Sequence, residues 1–156
     1  MIQRSFPFLL ISLLLLTSCD EEMVYDQYVS LENGSWRWND VAVFEFDITD
    51  TLSLNNIFIQ VRHSTDYPLS NLYMFVNVKG PNGQFRRDTL NLVLATPEGK
   101  WTGIGTGHLR ELRLLYKSRT RFGLPGHYNF SIEQAMRKAE LPVSDVGVRI
   151  ERIIPE

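Results

Sequence analysis

The sequence predicts an all-β protein, an antiparallel β-sandwich of jelly-roll type with at most one short helix. Three observations carry that expectation. Apolar and polar residues alternate with a period of two along most of the chain, the spacing of strands with one buried face. Glycine, proline, asparagine and aspartate gather between those segments, where turns need them. Helical spacing is confined to one short stretch. Several short alternating segments separated by turn chemistry favour two antiparallel sheets packed face to face.

The first element is not a strand. Arg4 is the only early charge, and an apolar run from Phe6 to Leu16 follows, then Thr17 and Ser18. A cationic start, a greasy middle and small residues at the cut site make a secretory signal. The run is too short to cross a bilayer, which takes roughly 20 apolar residues. Leu16-Thr17-Ser18-Cys19 resembles the lipobox of bacterial lipoproteins, and Cys19 is the only cysteine in the chain. The resemblance implies a diacylglyceryl thioether on Cys19, removal of the preceding peptide, and acylation of the freed amine by a fatty acid such as palmitate. Two or more acyl chains hold a protein on a membrane where one does so only marginally. The competing use of Cys19, as a buried or metal-binding thiol, fits poorly with its place at the end of a signal. The acids Asp20, Glu21 and Glu22 come next. They are open to three readings: retention at an inner membrane, export to the cell surface, or a solvated tether.

The expected organisation is therefore a signal peptide over 1–18, a lipidated tether over 19–38 and a single β-sandwich domain over 39–156. Removing the first 18 of 156 residues leaves 138, enough for one domain with a real core. Arg4 goes with the peptide and no acid does, so 15 basic residues face 18 acidic ones. Arg86-Arg87 is an isolated pair rather than a basic stripe, which argues against a nucleic-acid partner. Once Cys19 is acylated no thiol is left for a disulfide.

Within the domain, Ala42, Phe44, Phe46 and Ile48 share one face, with Glu45 and Asp47 on the other. Ile57, Ile59 and Val61 form a second inward set, and Leu72, Met74, Val76 and Val78 a third. Lys79-Gly80-Pro81-Asn82-Gly83 is a strong hairpin signal, and Leu90, Leu92 and Leu94 line the return strand. Further strands run through Leu112/Leu114/Tyr116, Tyr128/Phe130/Ile132 and Val146/Val148/Ile150. Ser131-Ile132-Glu133-Gln134 fits a helix capping box, so a turn or two of helix is expected between there and Leu141, ended by Pro142.

No catalytic or metal motif emerges. His63, His108 and His127 lack the convergent spacing of a metal site. His63-Ser64-Thr65-Asp66 sets imidazole, hydroxyl and carboxylate close in sequence, but a triad also needs an orienting group and an oxyanion hole. A turn before Tyr67-Pro68 explains those residues more simply. Glu45 and Asp47 sit two apart on one strand face, as a hydrolytic acid/base pair would need and as ordinary solvent-facing charge also would. Gly103-Ile104-Gly105-Thr106-Gly107 lacks the strand before and helix after it that a dinucleotide fingerprint needs, and reads as a flexible connection or bulged turn. Trp36, Trp38 and Trp101 offer flat apolar area for a sugar platform, with core packing the simpler use for Trp101. No cofactor is expected.

Several stretches, taken in order, resemble one family, the gliding-motility lipoproteins of Bacteroidetes known as GldH. They are Ser18–Asp20 with "VYDQY", "VAVFEFDITDT" from Val41, "VRHSTDYPLSNLYMFV" from Val61 and "GPNGQFRRDTLNLVLATPEGKWTGIGTG" from Gly80. "GHYNFSIEQAMR" at Gly126–Arg137 and "VGVRIE" at Val146–Glu151 complete the set. The resemblance covers almost the whole chain after Cys19. It implies a non-enzymatic, lipid-anchored accessory component of the gliding and type IX secretion apparatus, in the outer membrane and in contact with other envelope proteins. The family supplies no agreed catalytic motif to transfer. The alternative is a surface glycan-binding lipoprotein using coplanar rings from Trp36, Trp38 and Tyr73, and a hydrolase using Glu45 and Asp47 is a distant third. Loops on a rigid scaffold make contacts, so the partner surface is expected along Tyr67 to Tyr73 and Gly103 to Gly107, with Tyr67, Asn71, Tyr73, Gly103 and Gly105 as its named residues.

Overall fold

The protein was analysed as a computed structural model that describes residues 20–155. Ten strands follow one another: β1 (Met23–Ser30), β2 (Trp36–Arg37), β3 (Val41–Ile48), β4 (Asn55–Ser64) and β5 (Asn71–Lys79), then β6 (Phe85–Val93), β7 (Leu109–Thr120), β8 (Gly126–Gln134), β9 (Glu140–Leu141) and β10 (Val143–Arg152). Two four-stranded sheets have the orders β1-β10-β4-β7 and β3-β8-β5-β6, and β2 pairs with β9 in a short ribbon. Every pairing is antiparallel.

The topology is one long hairpin rolled up. β1 pairs with β10, β3 with β8, β4 with β7 and β5 with β6. The first half of the chain thus runs against the second half, and its tip is the Gly80–Gln84 turn between β5 and β6. Rolling that ladder into two layers gives the strand order of a jelly roll. The tip forms because Gly83 takes φ +79°, a conformation costly for residues with a Cβ. The Gly83 N–H donates to the Gly80 carbonyl at 3.0 Å.

The core is the sum of the alternating faces. Along β3, exposed and buried positions alternate without a break from Val41 to Ile48. Phe44, Ile59, Leu72, Met74, Leu92, Phe130, Ile132 and Ile150 are essentially inaccessible to solvent. Each such side chain contributes about 1.5–3 kcal/mol of burial free energy. Phe46 is the hub of an aromatic cluster, with Tyr25, Phe122, Tyr128 and Phe130 at centroid distances of 4.8 to 6.1 Å. Trp36 closes one end of the core and donates from Nε1 to the Asp40 carbonyl at 3.0 Å.

Two expectations need correction. The stretch expected as a tether, 19–38, contains β1, β2 and the buried Trp36. β1 escapes a periodicity search because it is a sheet edge: Tyr25 and Val29 pack on the core, but the exposed Gln27 interrupts the inward set. The helix expected after Ser131 is a strand to Gln134, and no α-helix occurs among the described residues. The polar groups of the would-be capping box are used across the sheet. Asn77 donates to Ser131 Oγ and to Glu133 Oε1 at 3.2 and 2.7 Å. The Gln134 side chain then shapes a turn, donating to the Lys138 carbonyl at 2.8 Å and accepting from Met136 N–H at 3.0 Å.

The barrel-like block has two ends. The proximal end, where the chain joins at Asp20, also carries the 49–54 link, the β5–β6 tip, the β7–β8 link and the end of β10. Glu22 accepts from Arg152 N–H, and Leu54 from Ile153 N–H. The distal end carries the 65–70, 94–108 and 135–142 connections.

Candidate functional site

The two stretches expected to meet partners come together at the distal end. Thr65 N–H donates to the His108 carbonyl at 2.7 Å, Leu94 N–H to Ser70 at 2.8 Å and Thr102 N–H to Leu94 at 2.9 Å. Their named residues play different parts. Tyr67 is buried, with its hydroxyl donating to the Asn71 carbonyl at 3.0 Å, and burial pushes its phenol above the usual range. It supports the loop from beneath and offers no contact surface. Asn71 is half-buried and bonded to Asn91, while Tyr73 is exposed on the outer face of the second sheet.

The glycine-dense segment is hydrogen-bonded onto the free edge of β7 instead of forming a loose connection. Ile104 and Glu111 exchange backbone hydrogen bonds of 2.9 and 2.7 Å. A Cβ on Gly103 would stand 2.7 Å from the Glu111 carbonyl oxygen, and one on Gly105 would stand 2.3 Å from that of Leu109. Two close backbone approaches, not a ligand, require glycine here. Between them Ile104 projects into solvent at 79 % exposure, the most exposed large apolar residue of the distal end. Shallow hollows of about 470 and 350 Å³ flank it.

The candidates for chemistry fall into two separate groups, one buried and one on an open sheet face. His63 is fully buried against Tyr67 and Trp101, at centroid distances of 5.6 and 4.9 Å. Its Nδ1 lies 2.9 Å from the Ser64 carbonyl, the geometry of a neutral ring donating from Nδ1, and burial lowers its pKa. The Ser64 hydroxyl accepts from Asp66 N–H at 3.1 Å, so it belongs to a turn and not to His63. Glu45 and Asp47 stand on the exposed face of β3, with His127 3.1 Å from Asp47 and 3.9 Å from Glu45. Among the described residues no three His, Cys, Asp or Glu side chains are arranged to hold a metal ion. Trp36 is buried while Trp38 is 69 % exposed, so the three-ring sugar platform does not form.

The outer face of the first sheet carries a connected charge lattice. Arg149 bonds Asp20, Asp26 at 2.6 Å and Glu151 at 2.6 Å, and Glu151 also accepts from Arg113 at 3.0 Å. Arg62 pairs with Glu111 at 2.8 Å and lies 3.9 Å above the Tyr28 ring. Burial, and then the hydrogen bond to Glu111, push the Tyr28 phenol up to about 12. This lattice fixes Asp20, three residues before β1, against the sheet.

At the proximal end a cleft of about 550 Å³ opens between the sheets along the β6–β7 side. Its walls are Ile57, Val78, Phe122, Tyr128 and Phe130, and Arg86, Lys117 and Arg121 are also among its lining residues. This feature lay outside the sequence expectations, although one signal existed. Arg86 has the same parity as the inward Leu90 and Leu92, so alternation itself points a charge between the sheets. Cys19 lies outside the described residues.

Comparison with known proteins gives consistent results. The profile of the family described as GldH lipoprotein matches residues 23–150. A protein of Christiangramia forsetii named gliding motility lipoprotein GldH homolog is 38 % identical over 149 residues, 90 % of this chain and 91 % of that one. The gliding motility lipoprotein GldH of Flavobacterium johnsoniae is 34 % identical over 157 aligned positions, 96 % of this chain and 97 % of its own. Among solved structures, that of infectious bursal disease virus Gt strain covers 88 % of the chain at 9 % identity, with a TM-score of 0.16 too low to bear on the fold.

Proposed function

Since this chain belongs to the GldH lipoprotein family, we propose that it is a lipid-anchored accessory component of the gliding-motility and type IX secretion apparatus, acting through protein contacts and not by catalysis. One observation carries the reading: agreement across nearly the whole domain with two proteins named gliding motility lipoproteins. Residues 1–18 act as the signal peptide, Cys19 as the acylated residue and the outer membrane as the resident bilayer. His63 buried and bonded to the Ser64 carbonyl, and Glu45 and Asp47 on an open sheet face, support contact over chemistry. The distal end, with Tyr73 and Ile104 exposed on a rigid support, is the surface assigned to partners.

Deleting the gene and restoring it with Cys19→Ala or Ile104→Asp tests both halves. The deletion strain is expected to lose surface spreading, or secretion of type IX cargo where the strain does not spread. Cys19→Ala is expected to leave the protein in the aqueous phase of a detergent partition and fail to restore. Ile104→Asp is expected to partition with the membrane and still fail. Normal spreading and secretion in the deletion strain would overturn the reading.

A further inference from the structure

We propose that the proximal cleft binds an anionic phospholipid, with one acyl chain between the sheets and the head group held by Arg86 and Arg121. The lining is mixed at the mouth, where Asn82, Gln84 and Thr120 stand with the exposed Phe85 and Leu124, and apolar at the floor, where Ile57, Phe122 and Phe130 are buried. The charged residues lining it are Arg86, Lys117 and Arg121, and no carboxylate lines it. Lys117 is already committed to Asp88 at 2.8 Å, an acid that also accepts from the Tyr116 hydroxyl at 2.5 Å. Arg121 spends only its Nε, on the Leu52 carbonyl at 2.9 Å, and neither Arg86 nor Arg121 joins an ion pair among the described residues. Arg86 shares the field of the Asp88 carboxylate with Lys117, and Arg121 keeps its two terminal nitrogens for a ligand. Two such guanidiniums beside an apolar floor match an anion carried on a hydrocarbon chain, and guanidinium suits phosphate through its fork of donors.

Position points the same way. The cleft opens at the end where the chain joins the sandwich, so a chain held there at a bilayer presents this opening to the lipid. Leu52, Leu124 and Ile154 stand exposed at the same end, at 82, 43 and 49 %. Apolar side chains among cations are the composition of a surface that seats on a bilayer.

The test uses the full acylated chain in phosphatidylcholine vesicles doped with phosphatidylglycerol that carries a diazirine at the end of one acyl chain. After irradiation, adducts are expected within the segments holding Ile57, Phe122 and Phe130, and a phosphatidylcholine photoprobe is expected to give far fewer. Arg86→Gln and Arg121→Gln, both at exposed positions, are each expected to lower cleft labelling about fivefold, the share one cation contributes near an anionic surface. Val78→Phe, which fills the slot without changing charge, is expected to do the same, with circular dichroism confirming its fold. Labelling confined to Leu52 and Ile154 would overturn the proposal. So would equal labelling by the zwitterionic probe, or adducts unchanged in both arginine variants.

Discussion

Gly105 and Tyr28 show how single residues hold the two surfaces of this molecule in place. Gly105 has φ +152°, and its backbone passes so near Leu109 that a Cβ would overlap the carbonyl oxygen at 2.3 Å. Gly105→Ala is expected to lower stability by about 1–3 kcal/mol and to speed hydrogen exchange at Ile104 and Glu111. An unchanged urea midpoint would contradict it. Tyr28 supplies a pH dependence whose sign is fixed. Its phenol titrates near 10.0 when unfolded and at about 12 when folded, chiefly through burial. Between those values the unfolded chain has lost a proton that the native state keeps, so stability is full below pH 10 and falls as pH rises through that window. Tyr28→Phe is expected to flatten this part of an alkaline denaturation profile. Tyr67 and Tyr116, raised by the same cause, leave a residual slope.

Among elements, legibility followed burial. β3, β4, β5, β8 and β10 pack one face on the core, and the alternation that fixes their inward sets is plain in the sequence. Phe130 is the clearest case: Phe130→Ala is expected to cost about 3–5 kcal/mol. Phe85→Ala, at 64 % exposure, is expected to change stability by less than about 0.5 kcal/mol. Comparable losses from the two in chemical denaturation would contradict this picture of the core. Edges and corners were harder to read. β1 offers only Tyr25 and Val29 inward, and its ladder with β10 comes from residues more than a hundred positions away. At Ser131 and Glu133 the local helix cue lost to cross-strand partners on β5, which no local window contains. At the distal end the loops were legible and their packing was not. Loop chemistry located 67–73 and 103–107, but only packing shows that Tyr67 faces inward and that Ile104, not its glycines, is presented.

For the molecule as a whole, the anchored reading turns on how little chain separates Cys19 from the fold. Four residues reach from Cys19 to Met23, a span of at most about 14 Å when extended, and Asp20 is already held by Arg149. A domain on so short a leash has a fixed standoff, and its distal loops ride one strand length, roughly 30 Å, above the proximal end. Inserting about ten Gly/Ser residues after Cys19 is expected to preserve membrane partitioning while weakening function, because a flexible linker lets the domain sweep a volume instead of holding a height. Full activity in that variant would show that partners do not depend on the standoff.

Because Met23 pairs with Glu151 across β1 and β10, the two ends of the described chain emerge side by side. On an anchored molecule, an epitope appended beyond Pro155 would therefore lie in the shadow of the bilayer, screened from antibody and protease alike. Its silence in intact cells would say nothing about which side of the envelope the domain occupies. The same epitope placed in the exposed 97–100 turn of the distal end stands clear of that shadow, so accessibility there reports sidedness.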